Sequence, residues 1–245
     1  MWPPLFPCMA RFWTHVKRVI RDADILIEVL DSRHVEESRN REIEDKVLES
    51  GKRLIYVINK VDMVDLDTIK IYKKLLHPCV LVSSRDKLGT TLLLKKILEV
   101  SRGKDCTVGI LGYPNVGKSS LINALSGKHA ASTSSRSGHT KGQQKVRLNN
   151  KIMLLDSPGV YPYKDHNETK HALISAVDYS QLKDPYEAVC KLHEEHPDFF
   201  FQWSQYADID DILEDVAKQK NLLKKGGDID EDRVCRYIVK VWQQG

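Results

Sequence analysis

The chain has 245 residues, 41% of them hydrophobic and 29% charged, with 38 Lys/Arg against 34 Asp/Glu. This length and apolar content suit one large or two small domains with a substantial core, and they exclude fibrous and disordered classes. The net charge of +4 names no partner, and no stretch reaches the roughly 18 apolar residues that span a membrane.

The chain opens on an apolar segment broken by Pro3, Pro4 and Pro7. It lacks the basic start and continuous apolar run of a secretory signal, so the expectation is a cytoplasmic protein. Residues 10–21 carry Phe12, Val16, Val19 and Ile20 at helical spacing,. The run 25–30 is a short apolar strand ending at Asp31, and 41–50 is a helix closed by Gly51,. Residues 54–58 form a strand ending at Asn59, 66–76 a helix stopped by Pro78, and 79–82 a strand ending at Ser83. A helix over 92–100 precedes a strand over 107–111, which ends at Gly112. A helix over 116–125 ends at Gly127, and 145–148 with 152–155 form a β-pair around Asn149-Asn150. Alternating strands and helices predict an α/β fold, a mostly parallel sheet with helices on both faces. Beyond residue 170 the pattern is helical only: 172–182, 185–193, 209–220 and 231–243.

Charge divides the chain in the same place. Residues 1–164 hold 28 Lys/Arg and 17 Asp/Glu, whereas 165–245 hold 10 and 17. The predicted organisation is therefore an α/β domain over 1–164 and a small all-α domain over 165–245. Residues 106–155 contain no Asp or Glu. Lys128, Arg136, Lys141, Lys145, Arg147 and Lys151 lie among them, a basic surface suited to phosphate or RNA. Arg233, Arg236 and Lys240 recur at helical spacing and form a second candidate basic stripe. Cys8, Cys79, Cys106, Cys190 and Cys235 are scattered, with neither metal-ligand nor disulfide spacing, and read as buried or half-buried free thiols.

Gly112-Tyr113-Pro114-Asn115-Val116-Gly117-Lys118-Ser119 fits GxxxxGK[ST] between a predicted strand and a predicted helix,. The glycines let backbone N–H groups of Val116, Gly117, Lys118, Ser119 and Ser120 converge on one anion, and the helix start adds its positive end. Lys118 is placed to reach the β- and γ-phosphates and Ser119 to ligate Mg2+. Upstream, Asn59-Lys60-Val61-Asp62 is NKxD at the end of an apolar strand. A fixed carboxylate at Asp62 accepts from both N–H donors of guanine, and adenine offers neither. Asn59 is expected to tie this loop to the phosphate loop, and the Lys60 stem to cover the ring face. Ser83-Ser84-Arg85 is similar to the SAK loop that contacts guanine O6. Asp156-Ser157-Pro158-Gly159 fits DxxG, with Asp156 in the Mg2+ shell and the Gly159 N–H on the γ-phosphate. In the loop 130–142, Thr140 is the candidate switch threonine for Mg2+ and γ-phosphate, with Thr133 as the alternative.

The motif order is NKxD, SSR, phosphate loop, Thr140, DxxG, a rotation of the usual GTPase order. A rotated chain builds the same sheet if the old ends are joined, here through residues 88–104. With these motifs the chain resembles the YlqF/RbgA (YawG-like) family of circularly permuted ribosome-assembly GTPases, and an archaeal member of it. Asp31-Ser32-Arg33 and Ser38-Arg39-Asn40 resemble the family's DAR…SRN signature. Gly138-His139-Thr140 with Gln143-Gln144 resembles its switch I, and Lys225-Gly226-Gly227 its C-terminal helical domain. The resemblance implies GTP hydrolysis, maturation of the large ribosomal subunit and rRNA contact; a monomer is expected. Asn115 resembles the residue that helps hold K+ in related GTPases, where the ion offsets transition-state charge. Val160 stands where many GTPases carry a water-orienting Gln. Pro7-Cys8-Met9-Ala10 lacks the histidine of the matching family stretch, so slow intrinsic turnover is expected. Two other readings stay open: a nucleotide-gated RNA-binding module with incidental hydrolysis, and a GTPase acting on a non-ribosomal RNA such as tRNA.

Overall fold

The computed structural model describes residues 7–127, 144–157, 159, 161, 167–206 and 208–244. The chain divides into two compact units, Met1–Asp165 and His166–Gly245.

The first unit is built on a six-stranded sheet: β1 (Ile25–Asp31), β2 (Arg53–Asn59), β3 (Cys79–Leu81), β4 (Cys106–Leu111), β5 (Gln144–Arg147) and β6 (Ile152–Asp156). The strand order is β3-β2-β1-β4-β6-β5. All pairings are parallel except β5 with β6. Every residue of β1 is buried, as a central parallel strand covered on both faces requires. The expected mostly parallel α/β sheet is the one observed.

Helix α1 (Pro7–Asp22) packs Trp13, Val16, Val19 and Ile20 onto Leu26, Leu111 and Leu155, together with Ile43 and Val47 of α2 (Arg41–Glu49). It approaches β4 closely because Gly109 has no side chain. A Cβ there would lie 2.6 Å from Val19 and 2.8 Å from Leu26. Helix α3 (Leu66–Leu75) closes a smaller cluster around Leu30, Ile58, Ile69 and Leu76. Helix α4 (Thr90–Val100) carries the chain from edge strand β3 back to β4, on the other side of β1. That reversal is a topological switch point, where open α/β sheets bind ligands beyond the carboxyl ends of their strands. Helix α5 (Lys118–Ser126) begins two residues later than the spacing predicts, because Val116 and Gly117 belong to the phosphate loop.

The second unit packs α6 (Glu168–Leu173), α7 (Pro185–Glu195), α8 (Ile209–Lys220) and α9 (Glu231–Gln244) around Leu192, Phe200, Leu213, Val216, Val234 and Ile238. The expected helix over 172–182 is instead the short α6, followed by a 3-10 turn over Tyr179–Gln181. Ser175 takes a left-handed φ of 59°, which ends the helix, and α9 holds the chain that follows. Gln243 Nε2 donates to the Ala172 and Val177 carbonyls, and Trp242 Nε1 to that of Leu173. A second 3-10 segment, Pro197–Gln202, inserts Phe200 into the core and has no helical periodicity to announce it. The candidate basic stripe on α9 is broken. Arg236 donates to Asp232 and to the Tyr179 and Leu182 carbonyls, so its charge is spent inside the unit.

Among the described residues no helix is long and apolar enough to cross a membrane. Cys79, Cys106 and Cys235 are buried and Cys190 is half-buried, all as free thiols. Burial pushes the Cys79 thiol up to about 11 and that of Cys235 to about 12, so both are held as unreactive thiols at neutral pH.

Candidate functional site

Four parallel strands deliver four motif loops to one edge of the sheet. NKxD follows β2, the SSR loop follows β3, the phosphate loop follows β4 and DxxG follows β6. Asn59 links three of them. Its Nδ2 donates to the Val116 carbonyl at 3.0 Å. Its Oδ1 accepts from Ser84 N–H at 3.1 Å and Ser84 Oγ at 2.8 Å. Asn59 is buried, so these bonds set loop positions with little competition from water. Gly117 makes the approach feasible: it sits at φ +96°, and a Cβ would lie 2.3 Å from Asn59 Nδ2.

A cleft of about 500 Å³ opens beside this junction, lined by Asn59, Lys60, Asp62, Ser84, Arg85, Gly117, Ser120 and Asn123 among others. Asp62 offers it a carboxylate. Oδ2 pairs with Arg85 Nη2 at 2.9 Å, while Oδ1 is buried with no hydrogen-bond partner among the described residues. A buried acceptor left unpaired is costly, and a ligand with two adjacent N–H donors satisfies it. Ser83 lies elsewhere. It is fully buried, exchanges backbone hydrogen bonds with Leu88 and pairs its hydroxyl with Asp86. Ser84 and Arg85 are the members of that loop that line the cleft.

At the phosphate end, Lys118 Nζ donates to the Gly112 carbonyl at 3.1 Å and the Tyr113 carbonyl at 2.5 Å. Burial lowers its pKa to about 8, with Asp156 acting in the opposite direction. Gly112, at φ +138°, could not carry a Cβ, which would meet the Val29 carbonyl at 2.5 Å. Asn115 takes a left-handed φ of 60°, a conformation asparagine tolerates better than most residues. Gly159 lies against the same loop: a Cβ on it would meet Pro114 at 2.5 Å and Lys118 Nζ at 3.0 Å. Ser119 Oγ donates to Asp156 Oδ2 at 3.4 Å. Asp156 Oδ1 is buried without a partner among the described residues, and burial pushes this carboxyl up despite Lys118 nearby. A hydroxyl oxygen beside an unsatisfied buried carboxylate suits Mg2+ completed by phosphate and water,. Ser157 anchors DxxG by donating to the Ile110 carbonyl at 2.6 Å. Thr140, Thr133, Gly138, Val160, Lys128, Arg136 and Lys141 lie outside the described residues.

Comparison with known proteins matches this geometry. The model of the RsgA GTPase family fits residues 25–164, and that of the 50S ribosome-binding GTPases fits 107–224. The chain belongs to the RsgA GTPase family, with its motifs in circularly permuted order. Its structure is similar to that of GNP-bound YlqF from T. maritima. The TM-score is 0.70 at 25% identity, covering 96% of this chain and 94% of the other. In sequence this GTPase is 37% identical to the GTP-binding protein MJ1464 of Methanocaldococcus jannaschii, over 94% of its own length and 64% of that protein. It is 32% identical to Nucleolar GTP-binding protein 2 of Neurospora crassa, over 96% of its length and 40% of that protein. The chain thus spans less than two thirds of these curated relatives.

Sequence reasoning missed three partnerships of this GTPase. Arg85 faces Asp62. Lys60 is tied to Asp31. Tyr113, fully buried, meets the Tyr161 ring edge-on at 5.9 Å. The signature residues at 31–33 and the tyrosines were visible, but nothing in their spacing pairs them.

Proposed function

We propose that this chain binds GTP at the carboxyl edge of the sheet, hydrolyses it to GDP and phosphate, and couples that step to assembly of the large ribosomal subunit. One observation carries the reading: Asn59 joins a base-reading loop and a phosphate loop 57 residues apart into one cradle. A cradle assembled before the ligand arrives lowers the ordering cost of holding base and triphosphate together. Asp62 reads the base, and Asn59, Lys60 and Ser84 shape its seat, while Ser83, buried outside the cleft, takes no direct part. Backbone N–H groups of Val116 to Ser120 hold the phosphates. Lys118 leaves its two carbonyl partners for the β- and γ-oxygens, and Gly159, close against Lys118, presents its N–H to the γ-phosphate. Ser119 and Asp156, with Thr140, would hold Mg2+. When bound, that ion neutralises charge developing on the phosphate oxygens. Asn115 would help hold K+ beside the same phosphates.

The ribosomal partner rests on the family description matched over 107–224 and on charge. Lys145 and Arg147 stand exposed on edge strand β5, with Lys151 beyond its turn. A second reading, a nucleotide-gated RNA-binding module, is favoured by Val160 at the position of the water-orienting Gln. GTP turnover in potassium buffer, with and without purified large subunits, separates the two. Expected are slow turnover alone and at least about tenfold stimulation by subunits, as when a partner completes a GTPase site. GTP binding without stimulation supports the second reading.

A further inference from the structure

The segment Asp31-Ser32-Arg33 takes no part in the phosphate or base contacts described above, yet it is buried against the base-reading loop. Asp31 lies opposite Asn59 in the parallel register of β1 and β2. Ser32 N–H donates to the Asn59 carbonyl at 2.9 Å, and Ser32 Oγ donates to the Lys60 carbonyl at 2.7 Å. The Lys60 ammonium lies 2.7 Å from Asp31 Oδ2. Lys60 is therefore gripped at both ends, by its backbone carbonyl and by its Nζ.

That double hold offsets two costs. Lys60 sits at a left-handed φ of 63°, a conformation unfavourable for a residue with a side chain. A long lysine stem also has rotamer freedom to lose. Asp31 is itself fixed. Its Oδ1 accepts from Arg33 N–H and Nε, its Oδ2 accepts from Arg33 Nη2, and its own N–H donates to Ser38 Oγ. Its carboxylate is fully buried and the Arg33 side chain is only 11% exposed, so this differs from a solvated ion pair of negligible worth. Lys60 lines the same cleft as Asp62.

We propose that Asp31 and Ser32 are positioning residues of the guanine site, fixing the backbone and the stem of Lys60 so that the stem covers one face of the base. The proposal rests on the guanine reading of that cleft. It assigns to the 31–33 segment an effect on nucleotide affinity that leaves the phosphate chemistry alone.

The test is a double-mutant cycle on the affinity for a fluorescent GDP, with Asp31→Asn, Lys60→Met and the pair. Asp31→Asn and Lys60→Met are each expected to weaken GDP about tenfold (~1.4 kcal/mol). The double variant is expected to be no weaker than Lys60→Met alone, and GTP turnover by Asp31→Asn to show a raised KM with kcat within about twofold. An equal loss from Asp31→Asn in the wild-type and Lys60→Met backgrounds would overturn the proposal. Should Asp31→Asn fail to fold, Ser32→Ala removes one hydroxyl that donates to the Lys60 carbonyl, and about three- to tenfold weaker GDP is expected. An unchanged affinity for that variant overturns the proposal equally. Asp62→Asn separates this outcome from the reading beneath it, because it should move preference from GDP to xanthosine diphosphate. If it does not, the guanine reading fails. If it does while the cycle shows no coupling, only the positioning role fails.

Discussion

Glu28 is a carboxyl in the middle of the central strand, fully buried. Its Oε1 accepts the Asn40 N–H at 2.7 Å, and its Oε2 has no partner among the described residues. Burial raises its pKa well above the usual range, and Glu44 adds to the rise, against the Asn40 N–H and Arg39. The folded chain thus keeps a proton here that the unfolded chain releases. Below the ordinary glutamate range both states are protonated and the site costs nothing. As pH rises through that range, stability is lost until the folded-state carboxyl itself ionises. Glu28→Gln keeps the acceptor for Asn40 and removes the titration. Its urea midpoint should therefore gain on wild type as pH rises from about 4.5 to 7, and a constant difference would contradict the assignment. The same contact explains Asn40, whose side chain caps α2 at the Ile43 N–H, 3.1 Å away. The SRN run was legible as a motif, but its target on β1 was not.

Between elements, the critical distance is the one separating β2's end from the start of α5. Gly117 sits at φ +96°, and a Cβ added there would lie only 2.3 Å from Asn59 Nδ2, so Gly117→Ala must push Asn59 off Val116. The expected outcome is at least about tenfold weaker GDP binding and roughly 1–3 kcal/mol of lost stability. Gly51→Ala is the control. It has a similar left-handed φ of +66° but open space around it, so it should cost about 1 kcal/mol and leave affinity unchanged. Calorimetric titration and thermal unfolding of both variants check this. The glycine pattern was readable in the sequence as a phosphate loop. That Gly117 also makes room for Asn59 follows only from the packing of β2 and β4 on either side of β1.

Across the whole chain, charge is sorted: residues 1–164 carry 28 Lys/Arg against 17 Asp/Glu, and residues 165–245 carry 10 against 17. On β5 the period of two places Lys145 and Arg147 on one face, with Val146 buried between them,. If such residues meet rRNA phosphates, binding to large subunits must release counterions. Raising salt from about 50 to 200 mM should then weaken co-sedimentation roughly tenfold to a hundredfold, for about two to four phosphate contacts. Salt-insensitive binding would place the contact elsewhere. Arg236 on α9 should contribute nothing, since Asp232 and two carbonyls already hold it.

The sequence by itself determined the sheet-and-helix alternation, the rotated motif order and the placing of the GxxxxGK[ST], NKxD and DxxG segments at strand ends. Those signals are local: hydrophobic period, glycines at fixed spacing, and polar residues at strand ends. Tertiary structure decided what those residues do to one another. Ser83 turns inward while Ser84 bonds Asn59, because β3 ends beside β2. Asp31 reaches Lys60 across 29 positions of chain, because β1 and β2 run parallel in register. Residues 174–182 leave the helix their periodicity suggests, because α9's side chains bind the backbone there. Each of these outcomes depends on which segments become neighbours in space, and apolar spacing within one segment carries no record of that.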